Sequence, residues 1–511
     1  MQNNMLSLNP SKFIRLILLL LLANLGNFSA IGQGKTLNLS LNDVLKLAKY
    51  QSLDALIAKN SFRSSYWAHR SYKAMFLPSL SMDATLPDLN RSIAQITQPD
   101  GTIDYLGQQN LTNYLNFNIK QNITFSGGQL FVRSNLQRLD VLKDSVITSY
   151  LTNPISIGLL QPIFSYNSFK WQRKIEPLKY KEAKKEYINA QETINIRAVS
   201  RFFDLVLAQI NLSIADINYS NNDTLYNIAK GRYNLGKIAQ NDLYQLELNL
   251  LNSKSALNQA KLDLQIREFG LKSYLGLNEK TSIHLIVPKE IPGLKIDIPK
   301  ALSEAKKNNP DIVRMSRQLI EADSDVARAK AENRFNANIV ANYGLTQSAT
   351  TLHDAYKDPR NSSQLSFGIQ IPIIDWGEGK GKYKMAQSNM EVVKTSIAKQ
   401  TIDFEQTVFL EVMQFNMQDE QVMIQAKADT VAQSSYNVSK NRFYIGKISV
   451  TDLNITIKEK DSAKRNYIFA LRRYWSYYYN IRQLTLYDFQ NNFELTENFD
   501  QLIDQKVYSE P

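Results

Sequence analysis

The chain has 511 residues and a formal charge of +12, enough length for a large core or several domains. It contains no cysteine, which excludes disulfides, thiol catalysis, cysteine-ligated zinc and a lipid anchor on an N-terminal cysteine. Lys and Arg are interleaved with Asp and Glu along helical stretches without a concentrated basic tract, the pattern of solvated helix faces and not of a nucleic-acid surface.

Lys12 and Arg15 precede an apolar run over 16–25, interrupted only by Asn24. With Ala30-Ile31-Gly32 as a small-x-small site, residues 1–32 read as a signal peptide and the mature chain begins at Gln33. The apolar run is about 10 residues against the ~20 a spanning helix needs. No other segment reads as a membrane helix, so residence in a membrane requires a β-barrel.

Ser40 is expected to cap a helix over 41–74. A partner begins near Pro299, a favourable first-turn residue. Ala48-Lys49 overlies Ala305-Lys306 and Asp54 overlies Asp311, an offset of 257 that still holds at Pro78 and Phe335. Beyond them, 80–84 and 115–119 alternate apolar and polar. Ser126-Gly127-Gly128 reads as a turn into a strand over 129–136, and 155–164 reads as another. In the second half, 338–345 and 364–374 play the same part. Pro162 and Pro372 lie 210 apart, so 47 extra residues fall between Pro78 and Pro162. Within them, 87–109 is polar, carries Pro87, Pro99 and Gly101, and reads as an external loop.

Residues 178–230 lack Gly and Pro, and so do 383–445, which as one helix would span roughly 95 Å. Apolar spacing near 3.5 (Val199, Phe203, Val206, Ile210, Ile217; Val393, Ile397, Phe404, Val408, Phe415, Val422) predicts coiled-coil-like packing. Two twelve-residue stretches, RYNLGKIAQNDL from 232 and RFYIGKISVTDL from 442, lie 210 apart and share six identities. A central Gly fits the left-handed end of one helix, and the polar residues after it fit the start of the next. Each stretch is expected to be the tip of a long helical hairpin, returning over 242–275 and 452–484. The chain is therefore a tandem duplication: signal 1–32, first repeat 33–281 with an insertion inside 79–161 and a tip near 236, connector 282–298, second repeat 299–489 with strands over 338–374 and a tip near 446, and a polar, loosely held tail 490–511.

His69, His284 and His353 form no ligand-spaced pattern, and no phosphate loop or nucleophile motif is present. No catalytic site, metal or cofactor is expected.

The twin Gly-Lys-Ile tips with Asp six residues after the Gly, the strand endings QPIF and QIPIIDWGEGKGK and the closing LTLYDF resemble the TolC-family outer-membrane efflux proteins over essentially the whole mature chain. The resemblance implies an α+β membrane protein. Long helical hairpins form an α-barrel tunnel across the periplasm, and transmembrane β-strands of a homotrimer share one barrel in outer-membrane lipid. It implies a passive exit duct for a tripartite pump or type I secretion system, meeting a periplasmic adaptor (membrane fusion) protein and an inner-membrane transporter. Asp452 and Asp242 match acidic positions near the closed periplasmic aperture. The family's second acidic position is Ile455 here, and its basic and tyrosine lock positions are Ile448 and Phe443. Gly236, Lys237, Ile238, Gly446, Lys447 and Ile448 are the expected adaptor contacts, with the isoleucines exposed. Trp171 and Trp376, just past strand ends, are candidate membrane-interface aromatics. Residues 114–136 either add a strand pair, giving eighteen strands per trimer, or extend a loop or plug; the extension is preferred, because a wider barrel would not match an unchanged tunnel. The alternatives are an adhesive coiled-coil protein of the cell envelope and a secreted enzyme. Strands at matching places in both halves speak against the first, and the lack of any titratable cluster against the second.

Overall fold

The computed structural model describes residues 36–142, 145–278, 281–288 and 291–504. The expected signal peptide and the end of the tail lie outside them. In chain order the elements are β1 (Thr36–Leu39), α1 (Leu41–Gln51), α2 (Leu53–Ala74), β2 (Ser79–Thr97), β3 (Ile103–Asn122), β4 (Gln129–Leu142), β5 (Val146–Ile163), α3 (Ser168–Asn234), α4 (Gln240–Leu275), β6 (Ser282–Leu285), α5 (Ile298–Asn308), α6 (Pro310–Glu332), β7 (Asn336–Ala349), β8 (Arg360–Gln370), α7 (Glu378–Asn416), α8 (Gln418–Tyr444), α9 (Val450–Thr485), β9 (Tyr487–Asp488), β10 (Phe493–Glu494) and α10 (Phe499–Asp504). They fall into two compact units. A sheet unit holds 54–193, 293–418 and 477 onward; a tip unit holds the residues to 53, 194–292 and 419–476.

The sheet unit is built on one antiparallel sheet in the order β2-β3-β4-β5-β7-β8. The 47 extra residues are thus strand and not loop. β2 begins at Ser79 where β7 begins at Asn336, which keeps the offset of 257, so the added pair is the hairpin β3–β4. The segment 87–109 is also strand, apart from the turn over 98–102. β3 pairs with β4 only as far as Asn110 opposite Val141. Beyond it, Arg91–Thr97 pairs with Ile103–Gln109 as a two-stranded ribbon, a ladder that the irregularity between Thr85 and Asp88 interrupts but does not end.

The turn between β3 and β4 is held by amide side chains. Gln121 Nε2 donates to Phe76 O (2.7 Å), Asn122 Nδ2 to Met75 O (2.9 Å), and Asn167 Nδ2 to Thr124 O (3.0 Å). It is tied both to the end of α2 and to the residue before α3.

Each repeat enters the sheet through two helices, where one was expected over 41–74. The breaks fall at Ser52 and Asn309, both extended and both buried, and again 257 apart. Asn309 explains its own break. Its side-chain oxygen accepts from Asp311 N (2.9 Å) to cap α6, and its amide donates to Leu484 O (2.9 Å). The helix expected to be continuous over 383–445 is interrupted at Met417. The adjacent Asn416 spends its side chain on the connector, donating to Ile296 O and accepting from Ile296 N, each at 2.9 Å. At the closing segment Arg482 lies buried between Glu192, at 3.0 and 3.2 Å, and Asp488. The tail is not loose over its described part: the Phe499 ring lies 5.0 Å from that of Phe62, and Arg63 Nε donates to Leu502 O (2.7 Å).

In the tip unit β1 pairs in parallel with β6. Val199, Phe203 and Val206 are buried as the spacing predicts, with Phe202 and Leu205 beside them, while Ile217 is exposed. One stretch of α3 is, by length and composition, apolar enough to cross a membrane, a correction to the expectation that no helix is. The buried phenylalanines show why: the helix needs an apolar stretch for its own core.

Candidate channel: membrane sheet and hairpin tips

The pairing register sorts the sheet into two faces. Leu80, Ile119, Val132, Ile157 and Tyr343 form one row across β2, β3, β4, β5 and β7. In the next row toward the helices, Leu130, Leu159, Ala341 and Leu365 stand on β4, β5, β7 and β8. The opposite face reads Ser81, Asn118, Arg133, Ser156, Gly344 and Ser362. Apolar outside and polar inside, with period two, is the pattern of a strand set between lipid and an aqueous lumen. Phe131 is the exception on the polar face. It lies buried over Gly158, where a Cβ would overlap its ring, and the Arg133 guanidinium sits 4.1 Å from the ring centroid.

Where the strands meet the helices the apolar side chains are bulky and bare. Phe125, Ile373 and Ile374 are exposed there, and Trp376 is 95% exposed. The Asp375 carboxylate accepts from Gly377 N and Gly379 N, both at 3.0 Å, and so starts α7 immediately after Trp376. Trp171 lies in the first turn of α3, with Lys174 Nζ 4.9 Å over its ring.

The two tips share one geometry. Gly236 (φ 66°) and Gly446 (φ 74°) are left-handed. Gly236 N donates to Tyr233 O (2.8 Å) and Lys237 N to Arg232 O (2.9 Å); Gly446 N donates to Phe443 O and Lys447 N to Arg442 O, both at 2.9 Å. These are the paired bonds of a Schellman ending. The expectation that Ile238 and Ile448 stand exposed is corrected. Both are half-buried and pack on a cluster formed by Leu225, Ala229, Leu246, Tyr436, Phe443 and Leu453, because the chain turns inward after the glycine. The exposed aliphatics are Leu235 and Ile445, at 71% and 65%. The repeat itself could have found them, since both copies keep an aliphatic residue before the glycine.

Asp452 reciprocally caps α9. Ser449 N donates to its carboxylate (3.0 Å), Ser449 Oγ does so too (2.7 Å), and Asp452 N donates to Ser449 Oγ (3.1 Å). The Ser449 hydroxyl, and then the Ser449 backbone N–H, hold the carboxyl below its ordinary range. Asp242 sits in the first turn of α4 without that box, since Ala239 occupies the cap. It lines a cavity of about 270 Å³ with Arg232, Lys237 and Ile448. Farther along, α3, α4 and α9 line a groove of about 890 Å³, where the amides of Asn211, Asn218, Asn222, Gln245, Asn249 and Asn252 stand beside the charged Asp263, Lys458, Asp461 and Arg465.

A sequence profile described as outer membrane efflux protein matches residues 133–277 and 301–485. The chain belongs to that family. It is an outer-membrane efflux channel that extends into the periplasm, and the family is one of transport ducts rather than enzymes. The fold agrees with solved channels. The outer-membrane channel CmeC of Campylobacter jejuni is 17% identical, with a TM-score of 0.64 over 91% of this chain and 88% of that one. VceC of Vibrio cholerae is 13% identical, with a TM-score of 0.62 over 87% and 95%. MtrE of Neisseria gonorrhoeae, solved in an open state, is 13% identical, with a TM-score of 0.58 over 87% and 88%. No curated protein sequence matches the chain. Family membership decides against the adhesive coiled-coil alternative.

Proposed function

We propose that three copies of this chain close one β-barrel in the outer membrane and form a passive exit duct. A periplasmic adaptor opens it, and an inner-membrane transporter drives it, in a tripartite pump or a type I exporter. The observation that carries the reading is the sheet itself. It has a lipid-type face and a lumen-type face, yet among the described residues its edge strands, β2 and β8, are each paired on one side only. Open edges are not tolerated in lipid, so the edges must meet other copies. Trp376 and Trp171 are placed to anchor the barrel at the interface. Asp452 and Asp242, threefold repeated, would ring the periplasmic aperture with negative charge, a device that favours cations. The tips around Gly236-Lys237 and Gly446-Lys447 are the adaptor contacts. Cargo choice then belongs to the transporter. Protein extracted from outer membranes in mild detergent should size as a trimer; a monomer, or recovery in the soluble fraction, overturns the reading.

A further inference from the structure

The trimer reading leaves open how wide the barrel is and which residues meet at its seams, and the internal repeat answers both. Within one chain, repeat one meets repeat two where β5 pairs with β7: Pro162 lies opposite Asn338, Gln161 opposite Ile339 and Leu160 opposite Val340. In a closed trimer, repeat two of one copy must meet repeat one of the next through the free strands β8 and β2. The repeat offsets carry Pro162 onto Pro372 and Asn338 onto Ser81. We propose that β8 of each copy pairs with β2 of its neighbour with Pro372 opposite Ser81, closing an eighteen-stranded barrel. The pairs that follow are Ile371 with Met82, Ile369 with Ala84 and Phe367 with Leu86 on one face, and Gln370 with Asp83 and Gly368 with Thr85 on the other.

Three independent observations support this seam. The register was transferred from sequence offsets alone, yet it places apolar beside apolar and polar beside polar, whereas a slip of one residue would reverse every face. Its members on the apolar side, Leu86, Met82, Phe367, Ile369 and Ile371, are all exposed in the single chain, so each has a surface to lose. The inserted hairpin β3–β4 is bonded to β2 and β5 along its length and shares both faces of the sheet, which leaves it no role as a plug. The mismatch between a wider barrel and the helices is met by the β3–β4 turn, whose amide contacts to the end of α2 and the start of α3 fill the added arc. Six strands per chain in place of four widen the barrel by about half, since diameter grows nearly linearly with strand number.

The inference rests on the trimer reading, and its test separates the two. The chain has no cysteine, so introduced thiols are the only ones. Two double variants, Met82→Cys with Ile371→Cys and Asp83→Cys with Gln370→Cys, put thiols on directly opposed residues, within disulfide reach in an antiparallel ladder. Oxidation of each detergent-extracted trimer should give covalently joined chains that separate on reduction. A third variant, Val132→Cys with Ile371→Cys, would join chains only if β4 were the seam strand of a twelve-stranded barrel, and it should stay unjoined. Trimers in which the first two pairs fail and the third joins overturn the eighteen-stranded barrel alone. A chain that sizes as a monomer before oxidation, cysteine-free protein included, overturns the trimer reading and this inference with it.

Discussion

At each hairpin tip one aliphatic side chain precedes the glycine and another follows two positions after it. Leu235 and Ile445 face water, whereas Ile238 and Ile448 pack on the buried cluster with Phe443 and Leu453. The pairs should therefore respond differently to charge. Leu235→Asp with Ile445→Asp alters exposed positions, where stability moves by about ±0.5 kcal/mol, and trimer yield should hold. Export should fall, because an adaptor seated on the tips would cover two unpaired carboxylates. Ile238→Asp with Ile448→Asp places carboxylates against an apolar cluster, at about 1–3 kcal/mol for each unsatisfied group, and should loosen the tips before any partner is involved. Export and trimer yield measured for both double variants check this. Normal export by the Leu235/Ile445 variant would remove these residues from the docking surface. A further consequence concerns closure. We propose that Ile448 and Phe443 stand where a lock of the aperture would be formed; both join the apolar cluster. The two hairpins are therefore clasped by packing, together with Arg232 Nη2 donating to Tyr444 O at 3.1 Å.

At the scale of elements, the repeat made most of the architecture legible. Offsets of 257 and 210 located the entry helices, the strands, both tips and the single place where length changes. Four things were hidden, each for a physical reason. The breaks at Asn309 and Met417 depend on the side chains of Asn309 and Asn416, bonded to backbone far away in sequence, which no local periodicity records. Residues 87–109 look like a loop because a ribbon with water on both faces needs no apolar alternation. The burial of Ile238 and Ile448 follows from the direction the chain takes after a left-handed glycine, which identity alone does not give. The docked tail depends on Phe499 reaching Phe62. The ribbon yields its own prediction. Its ladder from Arg91–Gln109 outward makes no bond to β4, so replacing 92–108 by a two-residue Asn-Gly turn, which suits a hairpin, should leave outer-membrane trimers at normal yield. Loss of trimer would show that the ribbon contacts a neighbouring copy and is part of the assembly.

For the whole molecule, the second repeat shows what the first would be without its insertion. There β7 runs directly into β8, with Ala337 opposite Ile369. Carried back by the same offsets, that pairing sets Leu80 opposite Leu159, and both stand on the apolar face. Deleting 98–144 removes 47 residues, joins Thr97 to Ser145, and leaves 94–97 with Ser145 as the turn between β2 and β5. Every remaining strand keeps its apolar face outward, so a barrel of four strands per chain should still insert and trimerise, now with twelve strands. Its outer mouth should be narrower by about a third. Gln121 and Asn122 go with the turn they brace, and Asn167 loses only its bond to that turn, so the helices need no compensating change. The measurement is the size of neutral polymer that enters the channel from the extracellular side, read as a fall in ion current through trimers in planar bilayers. The deletion variant should exclude polymers that the intact mouth admits. An unchanged cut-off in a stable trimer would mean that the added hairpin never widened the mouth, and the eighteen-stranded barrel would have to be given up.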